Sequence, residues 1–464
     1  MFRPFLALTL VLTLGLGAGL YVASNRATGP AIDITQPTHF VGRSAVFQAT
    51  IEAPGSKLTY VEAVIEQNEE QFLLFSLSRP TEAEIDQDGP DRIRITRPFD
   101  RNSHPELRSG TARLRVSAKR PVLFGLRETS SSIAIDVEVR LEPPRISIVS
   151  NFHYINHGGA ELVVYKISPP DSSSGVRVGD RTYPGYAVPL LGTNNDESLR
   201  VALFALLHDQ DLDTPINLYA RDKAGNEAQV EFDHQRFPKE FRRSQILVSD
   251  RFLRQVVPRI LERVPDLSDE EPDGSDQEWL DLYLFINDEL RRRNRNTLAA
   301  LAVETTEQML WEGPFLQLSN SKVESGFADH RTYVHGGREI DQQVHLGFDL
   351  ASTANAPILA ANHGTVIYAD YLGIFGNCVI IDHGMGLQTL YAHLASIAVS
   401  RGDQVQQNEQ LGLSGQTGLA GGDHLHYATL LQGHPVSPVE WWDSHWIEDR
   451  ILRKLRAAFP ETSP

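Results

Sequence analysis

The stretch GGDHLHYATL sets His424 and His426 on either side of Leu425. On a strand, residues i and i+2 point to one face. The two imidazoles would therefore stand side by side, with Leu425 turned into a core. A second segment, VHLGFDL, spaces His345 and Asp349 four apart. If it is one strand, His345, Gly347 and Asp349 share a face, and the glycine leaves room in front of it. In a third segment, LQTLYAHL, alternation puts Thr389, Tyr391 and His393 on one side. Four imidazoles and one carboxylate thus lie on three segments. Zinc takes tetrahedral nitrogen and oxygen ligands, and a catalytic site keeps one position for water. Two histidines and an aspartate satisfy that demand. The two histidines left over can hydrogen-bond the water and stabilise the oxyanion of a tetrahedral intermediate, while the metal lowers the pKa of the water. Other chemistries lack support: His-Glu-x-x-His is absent and GLSGQTG is not a nucleophile elbow. The single cysteine, Cys378, lies in the apolar run NCVIID and reads as a buried small side chain, so neither an internal disulfide nor a thiolate cluster is available.

Taken together, His-x-x-x-Asp, Tyr-x-His-Leu and Gly-Asp-His-Leu-His-Tyr resemble the lysostaphin/LytM-type zinc metallopeptidases, endopeptidases of peptidoglycan. The connecting text GNCVIIDHGMGLQTLYAHL and VSRGDQVQQNEQLGLSGQTG matches the family in order and spacing. The resemblance covers about residues 313–443. It implies an all-β peptidase fold, a duplicated hybrid motif, with a groove along the metal sheet. It places one Zn2+ on His345, Asp349 and His426 and the catalytic roles on His393 and His424. It also implies a zinc-dependent endopeptidase acting on wall peptides, with a metal-bound water as nucleophile. Arg331, in SGFADHRTY, falls where the family has an entry-strand arginine, although Asp329 and His330 precede it. Arg331, His335, Asn377 and Tyr391 are candidate groove residues. His363 and His383 sit beside turn glycines and read as structural. Some relatives that have lost ligands activate other wall hydrolases. This chain keeps all five residues, so a non-enzymatic or autoinhibited regulator is the alternative only if the groove is blocked. A carrier-type barrel would need a lysine at a hairpin tip, which the glycine-punctuated strands lack.

These segments need a scaffold, and 464 residues suffice for several domains. The net charge of −17 argues against a nucleic-acid partner. Residues 5–23 carry no charge and approach the length of a membrane span. With residues 1–33 they read as a signal anchor or signal peptide plus linker, a membrane helix in the first case. Export follows either way: a single-pass inner-membrane anchor facing the periplasm or cell wall, or secretion after cleavage. Period-two alternation in SAVFQATIEA, TARLRVSAKR and AELVVYKI predicts two immunoglobulin-like β-sandwiches, over 34–142 and 143–235. Residues 236–312 switch to helical period, with Phe252, Val256, Ile260 and Val264 four apart and a kink at Pro258. The acidic run DLSDEEPDGSD fails the calcium-loop count at its twelfth position, Leu280, and reads as a solvated loop. Residues 313–464 form the all-β peptidase unit. The expected fold is multidomain and mainly β. The sandwiches or the helical segment offer a surface for a regulatory protein partner.

Overall fold

The computed structural model describes residues 14–15, 27–80, 83–89, 91–187, 196–264 and 274–458. The expected membrane segment lies outside these, apart from Leu14 and Gly15, as does most of the acidic run. Among the described residues no helix is long and apolar enough to cross a membrane. The chain divides into two compact units, one of residues 1–144 with 221–228, the other of 145–220 with 229–464.

The first unit is a two-sheet β-sandwich. One sheet runs Ala31–Gln36, Ser44–Glu52, Arg92–Asp100, Glu84–Gln87; the other centres on Gly110–Val122 between Arg127–Val139 and Tyr60–Gln67. Gly110–Val122 alternates buried and exposed residues over most of its length, as a strand with one wet face must. The inward residues, Phe47, Ile51, Ile65, Phe75, Leu114 and Val116 among them, form a core of their own.

The second unit joins a smaller sandwich, the helical segment and the carboxy-terminal β domain. In the sandwich, Gly159–Ser168 pairs with Leu199–Leu206, and every residue of the latter is buried. Strands covered on both faces read as continuous apolar runs, and LRVALFAL is one. One apolar cluster runs from Val163 and Phe204 of the sandwich to Trp311, Trp441 and Ile451 of the β domain. Polar groups are sealed into the same contact. Lys454 Nζ donates to Glu161 Oε1 at 2.7 Å and to the Leu162 carbonyl at 2.9 Å. Glu440 accepts from Asn156 Nδ2 at 2.7 Å and from the Ala160 amide at 2.8 Å. A Cβ at position 159 would collide with the Glu440 carboxylate, so a glycine stands there.

The helical segment has Asp250–Leu261, capped by the Ser249 side chain, Asp276–Phe285, capped by Ser275, and Arg291–Leu301. Pro258 lies within the first helix. The helices bury Val256, Ile260 and Ile286 against Tyr333 and Ile374 of the β domain. Two buried asparagines fasten them: Asn287 Nδ2 donates to Asp341 Oδ2 at 2.6 Å, and Asn294 Oδ1 accepts from the Ile374 amide at 2.9 Å. The β domain itself is one large sheet ordered Lys322–Ser325, Phe348–Ala351, Leu425–Leu431, Leu387–Leu394, Asn377–Asp382, Gly364–Tyr371, Gln404–Val405, flanked by two smaller sheets.

Candidate metal centre

Register brings the chemistry-bearing segments together. Phe348–Ala351 and Leu387–Leu394 pair with the two edges of Leu425–Leu431, so Asp349 and Ala392 both stand opposite His426. Contrary to the expectation from their spacing, His345 does not share a strand with Asp349. It ends Arg338–His345, in a different sheet, and the chain bends at Gly347 before Phe348–Ala351 begins. The bend requires glycine: a Cβ there would lie 2.6 Å from His426 Cε1 and 2.7 Å from its Nε2.

The result is a tight triangle of donors. His345 Nε2 and His426 Nδ1 each lie 2.9 Å from Asp349 Oδ1, and 3.0 Å from each other. Ligand atoms about 2.0–2.1 Å from a tetrahedral zinc sit roughly 3.3 Å apart, so the triangle is close to a ligand set without its ion. The tautomers sharpen the point. His345 Nδ1 lies 2.9 Å from the Gly326 carbonyl and must carry the proton there. In the neutral ring Nε2 is then a bare lone pair facing a carboxylate oxygen. Two lone pairs at that distance repel unless a cation lies between them. The donor set fits a divalent metal.

The charges are consistent with that. Burial alone would raise the Asp349 carboxyl, yet His345, His424 and His426 hold it well below the usual carboxylate range. Burial pushes His426 down to about 4, leaving a neutral imidazole to offer a lone pair. Asp349 Oδ2 points the other way and accepts from Arg331 Nη2 at 2.9 Å; that same nitrogen reaches Ser325 Oγ at 2.7 Å. The guanidinium thereby occupies the second carboxylate oxygen and leaves Oδ1 as the single donor toward the triangle.

Two further imidazoles face this point. His393 and His424 have ring centroids 4.8 Å apart, and His393 lies 5.7 Å from the His426 ring. Each has Nδ1 on a backbone carbonyl, Thr417 at 2.8 Å and Gly422 at 2.9 Å, so each turns Nε2 outward. His424 Nε2 lies 3.6 Å from Asp349 Oδ1. Burial drives the His393 pKa well down; at His424 burial also lowers it, but the Asp349 carboxylate prevails and the pKa rises. The two imidazoles are thus shifted in opposite directions by their surroundings. His393 adopts φ 62°, a left-handed conformation that costs strain for a residue with a Cβ.

That conformation breaks the alternation expected for Thr389, Tyr391 and His393. Tyr391 stays in the core, its hydroxyl accepting from the Ala361 amide at 2.8 Å and from Thr389 Oγ1 at 3.0 Å, while His393 swings to the metal face. The other groove candidates divide. Arg331 lines the cavity in front of the triangle. His335 lies at the end of its strand, on the Val248 carbonyl at 3.0 Å, and Asn377 donates to the Leu394 carbonyl at 3.0 Å; neither lines that cavity. His383 is buried between the His363 carbonyl and Thr389 Oγ1, both at 2.7 Å, and Cys378 is buried.

The helical segment supplies what the motifs did not announce. The strand Arg243–Leu247 adds in parallel to Asp329–His335, and Ile246, Leu247, Phe252 and Tyr283 wall a cavity of about 260 Å3 whose floor is the histidine cluster. Nothing in their local pattern separates these apolar residues from ordinary core.

The sequence profile of peptidase family M23 matches residues 343–438. The carboxy-terminal domain belongs to the LytM-type peptidase family M23. The M23 domain is 38% identical over 97 residues to the DD-carboxypeptidase/endopeptidase Mpg of Neisseria meningitidis, 21% of this chain and 22% of that one. It is 36% identical over 96 residues to the peptidoglycan DD-endopeptidase ShyA of Vibrio cholerae, again 21% and 22%. The alignment thus spans about a fifth of each of these relatives. Among solved structures, a peptidase M23 from Pseudomonas aeruginosa covers 62% of this chain and 94% of its own, at 19% identity and TM-score 0.36. The catalytic domain of lysostaphin from Staphylococcus simulans covers 28% and 98%, at 25% identity and TM-score 0.25.

Proposed function

We propose that this chain is an exported, zinc-dependent endopeptidase that hydrolyses peptide bonds of peptidoglycan. The observation that carries the reading is the triangle of His345 Nε2, Asp349 Oδ1 and His426 Nδ1, with His393 and His424 facing it. In this reading the triangle would hold one Zn2+, and the ion would supply Lewis acidity toward the scissile carbonyl and lower the pKa of a water. Asp349 is held as a one-oxygen ligand by Arg331, and His345 as an Nδ1–H tautomer by the Gly326 carbonyl. His393 Nε2, uncharged and desolvated, accepts the proton of the attacking water. His424 Nε2, 3.6 Å from Asp349 Oδ1, would in its protonated form hydrogen-bond the oxyanion and deliver a proton to the leaving amine. The apolar wall of Ile246, Phe252 and Tyr283 excludes solvent around the charged centre. The described residues carry no membrane-spanning helix; export rests on the substrate class of the relatives and on the charge-free residues 5–23.

The test separates ligands from proton carriers. His345→Ala is expected to lose both the metal, measured by mass spectrometry of the purified protein, and release of fragments from isolated peptidoglycan. His393→Ala is expected to keep the metal and lose turnover by about 10²–10⁴-fold. A His345→Ala protein that still digests wall would refute the ligand assignment.

One observation favours a second reading, a latent form of the same enzyme. Ile246 and Leu247, at the end of the strand Arg243–Leu247, line the cavity with Phe252. Phe252→Ala with Leu247→Ser would then raise fragment release from the full chain. If these substitutions leave the rate unchanged, the segment is a wall and not a brake.

A further inference from the structure

Behind the metal centre lies a larger cavity of about 670 Å3, built where the second sandwich, the helix Arg291–Leu301 and the strands around His330 and Gln343 meet. Its walls carry Arg181, Arg243, Arg295 and Arg331, with His330 and His434 among them. Asp209 is the one carboxylate in the lining. That balance is the reverse of the chain as a whole, where 60 acidic residues face 43 basic ones. In so acidic a protein arginines ordinarily find carboxylates. Arg331 has Asp349 at 2.9 Å and Arg181 has Asp180 at 3.6 Å. Among the described residues the side chains of Arg243 and Arg295 have no hydrogen bond or ion pair and remain exposed. They come from segments some fifty residues apart, so the convergence is a product of the fold and not a local basic run. The titratable groups feel the field: burial depresses the His434 pKa and Arg181 lowers it further, and Arg295 is among the groups that lower His208 beyond the effect of burial.

A smaller cavity of about 50 Å3, lined by Leu298, Val344, Leu346 and Pro435 together with His345 and His426, shares residues with both this cavity and the metal cavity. The larger cavity has the volume of a small-ligand site, about 300–1,000 Å3. Guanidinium groups offer planar pairs of N–H donors, matched to phosphate and carboxylate oxygens.

We propose that this cavity is an oxyanion site separate from the metal centre, taking a phosphate or carboxylate group on Arg243 and Arg295. Arg331, which lines the cavity and also holds Asp349, connects the site physically to the metal ligand set.

The experiment is equilibrium binding by calorimetry to the full chain at low salt. Three probes are used: inorganic phosphate, a short wall peptide with a free terminal carboxylate, and the same peptide amidated. Each is measured before and after chelation, because an oxyanion held by the metal alone is lost with it. Phosphate or the carboxylate peptide is expected to bind the chelated protein, with the amide at least tenfold weaker than the acid if the peptide is the source. Arg243→Ala and Arg295→Ala, at exposed positions that do not threaten folding, are each expected to weaken binding about tenfold, and together about a hundredfold. Raising salt should weaken it further. Binding of neither oxyanion to the chelated protein overturns the proposal, as does binding unchanged by both substitutions. Hydrolysis enters none of these readouts, so loss of the peptidase reading and loss of the anion site are told apart.

Discussion

The two sandwiches of this chain are built from the same kind of strand and stand in different relations to their surroundings. In the first, Gly110–Val122 alternates, the core closes on itself, and an ion pair such as Arg113 with Asp136 sits 2.9 Å apart in the open, with side chains 55% and 78% exposed. In the second, Leu199–Leu206 is buried throughout, the core continues into the M23 domain, and the Glu161–Lys454 pair is sealed at 0% and 6% exposure. The first is a module. The second is part of the peptidase body, and what looks like a spacer in sequence is half of a shared core.

The sharpest way to break this comparison is truncation. A chain beginning at residue 145 is expected to keep a cooperative unfolding transition of the peptidase body. One beginning at residue 238 bares the apolar cluster around Trp311 and Trp441 and is expected to aggregate, read by size-exclusion chromatography and near-ultraviolet circular dichroism. A soluble, well-folded 238–464 fragment that takes up metal would refute the shared-core view.

Next in size is the contrast between the two ion pairs. Lys454→Met strands Glu161 in the interior and is expected to cost about 3–5 kcal/mol in urea unfolding. Arg113→Ala should leave the midpoint unmoved, because solvent screens the exposed pair.

The smallest effect is a pH slope set by Glu440. Its carboxyl is pushed up to about 7, chiefly by burial, against an ordinary value of 4.5. The unfolded chain releases this proton first, so the stability it contributes is complete below pH 4.5, falls as pH rises through 7, and is flat above. The total is about 3 kcal/mol at most. Because Glu161, also raised by burial, adds to the same slope, the difference between the parent and Glu440→Gln isolates the Glu440 share. Parallel stability profiles for parent and variant from pH 5 to 8 would remove Glu440 from the account.

Periodicity and spacing carried much of this. The alternation of TARLRVSAKR foretold a half-buried strand, and the buried faces of Val256 and Ile260 follow from their four-residue spacing. The segments holding His345, Asp349, His393, His424 and His426 announced themselves as chemistry by residue type. Their meeting was not legible. It depends on the register of Asp349 against His426, on the bend that only Gly347 allows, and on the left-handed turn at His393 that separates it from Tyr391. The wall of Ile246, Phe252 and Tyr283 was hidden for a different reason. An apolar residue shows in sequence that it is covered, and not by what.

By itself the sequence determined the residue chemistry and the local periods, because side-chain type and strand or helix pitch are properties of neighbours along the chain. Tertiary structure alone decided which lone pairs face one another, which sandwich shares its core, and which arginines are left without carboxylates. Those are properties of groups far apart in sequence, and only packing sets the distances between them.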